Sequence, residues 1–278
     1  MPTLPPSRPD ERQPAARSHI AREVAESFGT NAERYDRARP RYPEALIQRI
    51  VAACPGPAVL DVGCGTGISA RQLRAAGARV LGLDADERMA ELARHSGLDV
   101  EVSTFETWDP AGRRFDAVTA AQAWHWIDPI AGAAKAAEAL RPGGLLALIW
   151  NAAQMPSDIA AAFIEVYRQV LPGSPIVEQS ERVAATPAAE GYRALGGKGV
   201  DGMRVSGAFG EAEEWRYDWE WVYTRDAWLD VVPTHGGHNL LEPPQLDELL
   251  TGIGAVIDAA GGTFAMQYAT LAFIATRN

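Results

Sequence analysis

The chain has 278 residues, 47% of them hydrophobic and 22% charged, with a formal net charge of -10 and a pI near 5.0. That composition fits a globular α/β protein with a sizeable core, as one large unit or one unit plus a cap. The acidic balance repels polyanions and argues against nucleic acid as a partner. Two cysteines, Cys54 and Cys64, make no disulfide framework, and no apolar run approaches the ~20 residues of a membrane span. The N-terminus lacks the apolar centre of a signal peptide, so the expected location is cytoplasmic.

Residues 1–18 hold five prolines among scattered charges and read as a disordered tail. A helix is expected from Ser18 to about Phe28, and another from Glu44 to Ala53. Then a short apolar run, Ala58 to Leu60, ends in Asp61, and Gly63, Gly65 and Gly67 precede a helical pattern. This reads as a buried parallel strand, a tight glycine turn and a helix N-terminus. Glycine there lets the backbone take positive φ and approach a ligand closely. The spacing is G-x-G-x-G, which differs from the dinucleotide fingerprint, and no Lys-Ser/Thr pair follows as in a P-loop.

The next strand, Arg79 to Leu83, ends in Asp84, about 20 residues beyond the turn, where a carboxylate can take both ribose hydroxyls of an adenosine ligand. Asp86 fits a helix N-cap. Val100 to Thr104 and Phe115 to Ala120 are the third and fourth strands, the latter with Asp116 at its start. The fourth opens into Ala121-Gln122-Ala123-Trp124-His125-Trp126-Ile127-Asp128, at the carboxyl ends of parallel strands where open α/β sheets bind ligands. A helix from about Pro129 to Leu140, a turn at 141–144 and a fifth strand, Leu145 to Trp150, follow.

Val59 to Gly67 with the spaced Asp84 resembles the first two motifs of class I S-adenosylmethionine-dependent methyltransferases. Two further stretches are similar to small-molecule members, the trans-aconitate and ubiquinone/menaquinone methyltransferases. One is Tyr35-Asp36 followed by Arg39-Pro40-Arg41-Tyr42-Pro43; the other is Ala121 to Trp126. The Pro-Pro-Tyr loop of amino- and base-methylating branches is absent. The resemblance covers roughly residues 28–151. It implies S-adenosyl-L-methionine as cofactor and a small-molecule methyl acceptor as partner, with a homodimer left open. The implied fold is a Rossmann-like seven-stranded, mostly parallel sheet in the order 3-2-1-4-5-7-6, with an antiparallel C-terminal strand and a partly helical substrate cover. The division it suggests is N-terminal lid helices at 19–56, a cofactor-binding half at 57–151 and the cover with the last strands at 152–278. The implied cofactor contacts are Tyr35, Arg39, Asp61, Gly63, Cys64, Gly65, Asp84, Ala85 and Met89, then Thr104, Phe105 and Glu106 at the adenine, and Ala121, Gln122 and Trp124.

Beyond residue 151 the reading rests on pattern. A helix is expected at 157–171, and residues 172–210, rich in Gly, Pro and Ala, read as a loop with short helices. Glu211 to Thr224 alternates aromatic residues, including Trp219 and Trp221, with charge, a strand signal. A short helix at 226–232, a histidine turn at 233–239, a helix at 245–260 and a strand from Phe264 to Thr276 complete the chain. Methyl transfer is a displacement that depends on positioning and needs a base only when the acceptor must lose a proton. His125 and His238 are the candidate bases, with Glu165 on a solvated helix face. Trp126, Trp150, Trp219 and Trp221 are the candidate acceptor-pocket residues, since indole offers large apolar area. His235, His238 and Glu242 stand as H-x2-H-x3-E, but Pro243-Pro244 breaks a helix there, so no metal is expected. The expected function is methyl transfer to oxygen or carbon of a small apolar or carboxylate-bearing molecule. The alternative is a cofactor-binding protein of the same fold with another activity or a sensing role.

Overall fold

The computed structural model describes residues 28–278; the expected tail and nearly all of the first expected helix lie outside the described residues. Seven strands form one sheet: β1 (Ala58–Val62), β2 (Arg79–Asp84), β3 (Asp99–Val102), β4 (Phe115–Ala121), β5 (Leu140–Gln154), β6 (Glu213–Thr224) and β7 (Thr263–Thr276). Their order is β3-β2-β1-β4-β5-β7-β6. The first five are parallel, and β7 is antiparallel to both β5 and β6. This is the Rossmann-like sheet that the alternating pattern and the resemblance predict.

The helices are α1 (Ala32–Ala38), α2 (Glu44–Ala53), α3 (Ile68–Ala75), α4 (Glu87–His95), α5 (Pro129–Ala139), α6 (Ser157–Val170), α7 (Pro175–Ala185), α8 (Ala188–Ser206), α9 (Arg225–Val231) and α10 (Pro243–Ala259). Local chemistry starts several of them. Asp86 accepts from Arg88 N (2.9 Å) at the head of α4, and Asp128 accepts from Ile130 N and Ala131 N before Pro129 opens α5.

Alternate residues of the central strands feed two cores. Leu60, Val118, Leu146 and Leu148 pack with Ala133, Ala136 and Met203 of α5 and α8. Val59, Ala117, Ala147 and Ile149 pack on the other face with Leu46, Ile47, Ile50 and Leu73 of α2 and α3. A third cluster lies under α6, α9 and α10, where Phe163, Trp228 and Ile253 meet Phe264 and Met266 of β7. Each fully buried Val, Leu, Ile, Phe or Met among them contributes about 1.5–3 kcal/mol of apolar burial.

The structure departs from the local pattern in three places. The fifth strand runs from Leu140 to Gln154 rather than Leu145 to Trp150, because β7 pairs with it as far as Gln154–Gln267. The expected 141–144 turn survives as an irregularity, with a register shift and Gly143 at φ 77°. Pro243 and Pro244 do not break a helix but open α10 in its first turn, where a missing N–H is no loss.

The third departure is the largest. Residues 175–206 form two helices, one of 11 and one of 19 residues, instead of the expected loop with short helices. Three of the five glycines of α8, Gly196, Gly199 and Gly202, lie along a packed face. A Cβ on Gly196 would stand 2.0 Å from Phe273, one on Gly199 2.4 Å from Leu148, and one on Gly202 2.0 Å from the Pro129 carbonyl. Missing side chains let α8 approach the sheet and α5, and that packing outweighs the roughly 1 kcal/mol per residue that glycine costs a helix.

Candidate functional site

At the carboxyl end of β1 the backbone turns through Gly63 (φ 64°), Gly65 (φ 55°) and Gly67 (φ 89°). A side chain at Gly63 would place its Cβ 2.4 Å from Ala123, so this position excludes one on conformation and on space. Gly63 N and Cys64 N both donate to the Leu83 carbonyl, at 2.7 and 3.1 Å, which pins the loop to β2. Gly65 N donates to Asp84 Oδ2 at 2.7 Å, and Asp86 N to Asp84 Oδ1 at 2.9 Å. Burial raises the Asp84 pKa above the ordinary carboxylate value. Ala85 lies in the turn after it, and Met89 is buried with its methyl against Gly65.

Asp61 is wholly buried. Ser69 Oγ and Thr119 Oγ1 donate to its two oxygens, each at 2.6 Å. Burial pushes its pKa up to about 6, against the lowering effect of those two hydrogen bonds. The carboxylate thereby joins β1, α3 and β4 directly beneath the loop. Above the loop, Asp36 of α1 accepts from Thr66 Oγ1 at 2.7 Å and pairs with Arg71 of α3. Arg34 and Arg37, on the same short helix, pair with Asp230 of α9. So α1 is fastened to the glycine loop on one side and to α9 on the other. This is the described part of the expected lid.

Thr104, Phe105 and Glu106 follow β3. Phe105 is buried, its ring 6.1 Å from Trp124, while Glu106 accepts weakly from Asp128 N. Past Ala121, Gln122 takes φ 56°, a left-handed conformation that costs a non-glycine residue roughly 1–2 kcal/mol. It is held there: its N donates to the Ile149 carbonyl at 2.8 Å and its Nε2 to the Asn151 carbonyl at 3.1 Å. Tyr192 of α8 lies near Gln122. Trp124 to Trp126 form a 3-10 turn. Trp124 is buried, whereas Trp126 keeps 43% of its surface exposed.

His125 Nδ1 accepts from Trp150 Nε1 at 3.4 Å, and its ring lies 4.7 Å from Trp126. Desolvation by these apolar neighbours pushes its imidazole below the ordinary histidine range. Trp150 is fully buried, its edge toward Phe273. His238 sits in the cover. It is buried, its Nε2 is 2.8 Å from Tyr167 Oη, and burial pushes its pKa down to about 4. The two candidate bases thus occupy different clusters. Trp219 stacks on Tyr268 at 4.3 Å and 12°, and donates to Thr270 at 2.8 Å. Trp221, opposite Met266, is 55% exposed. Arg39 lies 5.0 Å from the Tyr35 ring centroid and donates to the Thr234 carbonyl of the cover. Among the described residues no group of three potential metal ligands is assembled, and His235 meets His238 only ring to ring, at 5.6 Å.

Sequence pattern missed several residues of this region. Ser69 and Thr119 hold Asp61, and no spacing rule marks them. Tyr192 lay within the stretch read as loop. Tyr223 and Tyr268, whose hydroxyls are 2.8 Å apart, come from β6 and β7 and meet only through strand pairing.

Residues 59–144 match a family described as a methyltransferase domain. An uncharacterized methyltransferase of Mycobacterium tuberculosis is 37% identical over 133 residues, 47% of this chain and 54% of that protein. A ubiquinone biosynthesis O-methyltransferase of Methylocella silvestris is 38% identical over 98 residues, 33% of this chain and 38% of that protein. The chain therefore spans about half or less of the length of these relatives. A solved structure from Anaeromyxobacter dehalogenans, described as a candidate Type II methyltransferase, shares the fold with a TM-score of 0.56 and 23% identity, covering 85% of this chain and 97% of its own. The family match falls on strands β1 to β4, which carry the glycine loop, Asp61 and Asp84, and there this chain is similar to methyltransferases.

Proposed function

We propose that the chain transfers a methyl group from S-adenosyl-L-methionine to oxygen or carbon of a small apolar or carboxylate-bearing molecule. The observation that carries this is the junction of the glycine loop with Asp84. Each Asp84 oxygen accepts one backbone hydrogen bond, from Gly65 and from Asp86. A carboxylate has about four lone-pair sites, so capacity remains for both hydroxyls of a ribose. Gly63 and Gly65 leave the loop without side chains, so a ligand's methionine half can lie against the backbone. Cys64 is the one side chain between them, and it is turned into the core. Asp61 and Asp84 supply negative charge for a cationic ligand.

The cofactor, when bound, supplies a sulfonium methyl whose departure leaves a neutral thioether. The chain's part is to fix the acceptor within about 3 Å of that methyl and to exclude water. In this reading Tyr35 and α1 cover the cofactor, while Met89, Thr104, Phe105 and Glu106 border its adenosine. Ala121, Gln122 and Trp124 border the reacting end. Trp126, Trp219 and Trp221 serve the acceptor side, and Trp150 orients His125 through its indole N–H. Burial keeps both His125 and His238 neutral near pH 7 but also lowers their basicity, which favours an orienting role over proton abstraction. A carboxylate acceptor requires no base.

The test is calorimetric titration with S-adenosylhomocysteine. Replacing Asp84 by Ala removes hydrogen bonds to a buried diol and should weaken binding by about 1–3 kcal/mol, roughly 5- to 150-fold. Unchanged affinity in that variant would remove the reading. Transfer of labelled methyl from the cofactor into a small-molecule extract separates catalysis from binding alone.

A further inference from the structure

Arg39 is held differently from Arg34, Arg37 and Arg71. Arg34 and Arg37 of α1 pair with Asp230, and Arg71 pairs with Asp36. Arg39, which caps the C-terminus of the same helix, pairs with no carboxylate among the described residues. One of its five N–H donors reaches the Thr234 carbonyl, while its Nε is buried without a hydrogen-bond partner. A shielded guanidinium with no counter-ion is costly, and an anion in reach relieves that cost.

The Arg39 guanidinium lies 5.0 Å from the Tyr35 ring centroid and donates to the Thr234 carbonyl. Its charge reaches Tyr192, Tyr223 and Tyr268, and it adds to the burial that holds His235 and His238 uncharged. The Tyr223 and Tyr268 hydroxyls bond to each other at 2.8 Å, so one of their two protons is left to donate elsewhere. The Tyr268 ring is fixed by its stack on Trp219, and Trp219 by Thr270, which in turn donates to Asn151 Oδ1 at 2.7 Å. Tyr192 lies near Gln122, the strained residue at the end of β4. The neighbourhood therefore lies between the end of β4 and the cover, on the acceptor side. The cation at the glycine loop itself, Arg71, is already committed to Asp36 and the Thr66 carbonyl. A net charge of -10 would otherwise repel an anionic acceptor.

We propose that Arg39 binds the carboxylate of the methyl acceptor, with hydroxyls of Tyr192, Tyr223 and Tyr268 as further donors, so that the enzyme selects small anionic molecules over neutral ones of the same shape. This rests on the methyltransferase reading for the word acceptor, and on Arg39 and its neighbours for the carboxylate. Hydrogen bonds to a charged group lost on substitution correspond to about tenfold or more in affinity.

The experiment uses the full chain with saturating S-adenosylhomocysteine. Acetate, benzoate and octanoate, each beside its primary amide, are titrated while tryptophan fluorescence is read, since Trp219 stacks on Tyr268. At least one acid should bind, at least tenfold tighter than its amide. Arg39→Gln should abolish that preference, Arg39→Lys should keep part of it, and Tyr268→Phe should reduce it while preserving the stack. Affinity for S-adenosylhomocysteine should stay unchanged in Tyr268→Phe and should fall less than affinity for the acid in the Arg39 variants, with thermal unfolding confirming that all three fold. Equal responses to acids and amides, no response included, would overturn the proposal. So would an Arg39→Gln variant that loses S-adenosylhomocysteine and keeps the acid preference, which would assign Arg39 to the cofactor. If the unaltered chain fails to bind S-adenosylhomocysteine, the methyltransferase reading falls, and acid against amide still decides the role of Arg39.

Discussion

The sheet carries polar groups of two kinds on its two sides. Around β1 and β2 they are backbone amides and carboxylates supplied mostly from nearby in the chain: Gly65 and Asp84 are 19 positions apart and Asp61 and Ser69 only 8, with Thr119, 58 positions from Asp61, a longer-range partner. Around β5, β6 and β7 they are side chains drawn from far apart, with Asn151 and Thr270 separated by 119 positions and Arg39 and Thr234 by 195. In the first region the backbone path is itself the site, so it depends on the few residues that permit that path. In the second the backbone is ordinary strand and helix, and the site depends on which side chains the packing brings together. Substitutions that alter conformation should therefore damage the first region, and substitutions that alter volume should damage the second.

The largest expected effect is at the loop. Gly63→Ala should cost about 1–2 kcal/mol in left-handed backbone strain. Overlap with Ala123 should add about 1–3 kcal/mol. Denaturant unfolding checks this, and a fully stable variant would break the claim that the loop conformation is obligatory.

Next is the pH dependence of Asp61. Its folded pKa of about 6 lies above the ordinary carboxylate value of about 3.9. Stability from its protonation is fully present below about pH 4 and lost as the pH rises through about 6, a span worth on the order of 3 kcal/mol. Unfolding measured between pH 4 and pH 7 against Asp61→Asn isolates this slope. A slope of opposite sign would mean that the carboxylate is held charged rather than penalised by burial.

The smallest effects test the cover. Gly202→Ala meets the Pro129 carbonyl and should destabilise by about 1–3 kcal/mol. Gly197→Ala, on the same helix with nothing near, should instead stabilise by about 0.5–1 kcal/mol. Two shifts of the same sign would show that α8 is not held by close approach of its glycine face.

How much of this was legible follows from the same contrast. Residues 58–62 and 79–84 read as strands because each is a short apolar run ending at a polar residue, and the glycine spacing between them admits few conformations. Asp84 could be assigned beside the loop because two adjacent parallel strands fix its position relative to Gly65. The candidate bases were visible as histidines in loops, yet nothing in their spacing revealed that His125 turns to Trp150 and His238 to Tyr167.

By itself the sequence determined the strand and helix alternation of residues 58–150, the glycine turn and the two acidic positions. Each depends on period, on φ preference or on short-range chain geometry. Only the tertiary structure decided that a glycine-rich stretch is a 19-residue helix, that β5 extends to Gln154, and that Arg39 ends beside Thr234 without a carboxylate partner. Those outcomes depend on what a residue packs against. A missing Cβ reads as coil in isolation, but becomes a close helix contact once Phe273, Leu148 and Pro129 stand opposite.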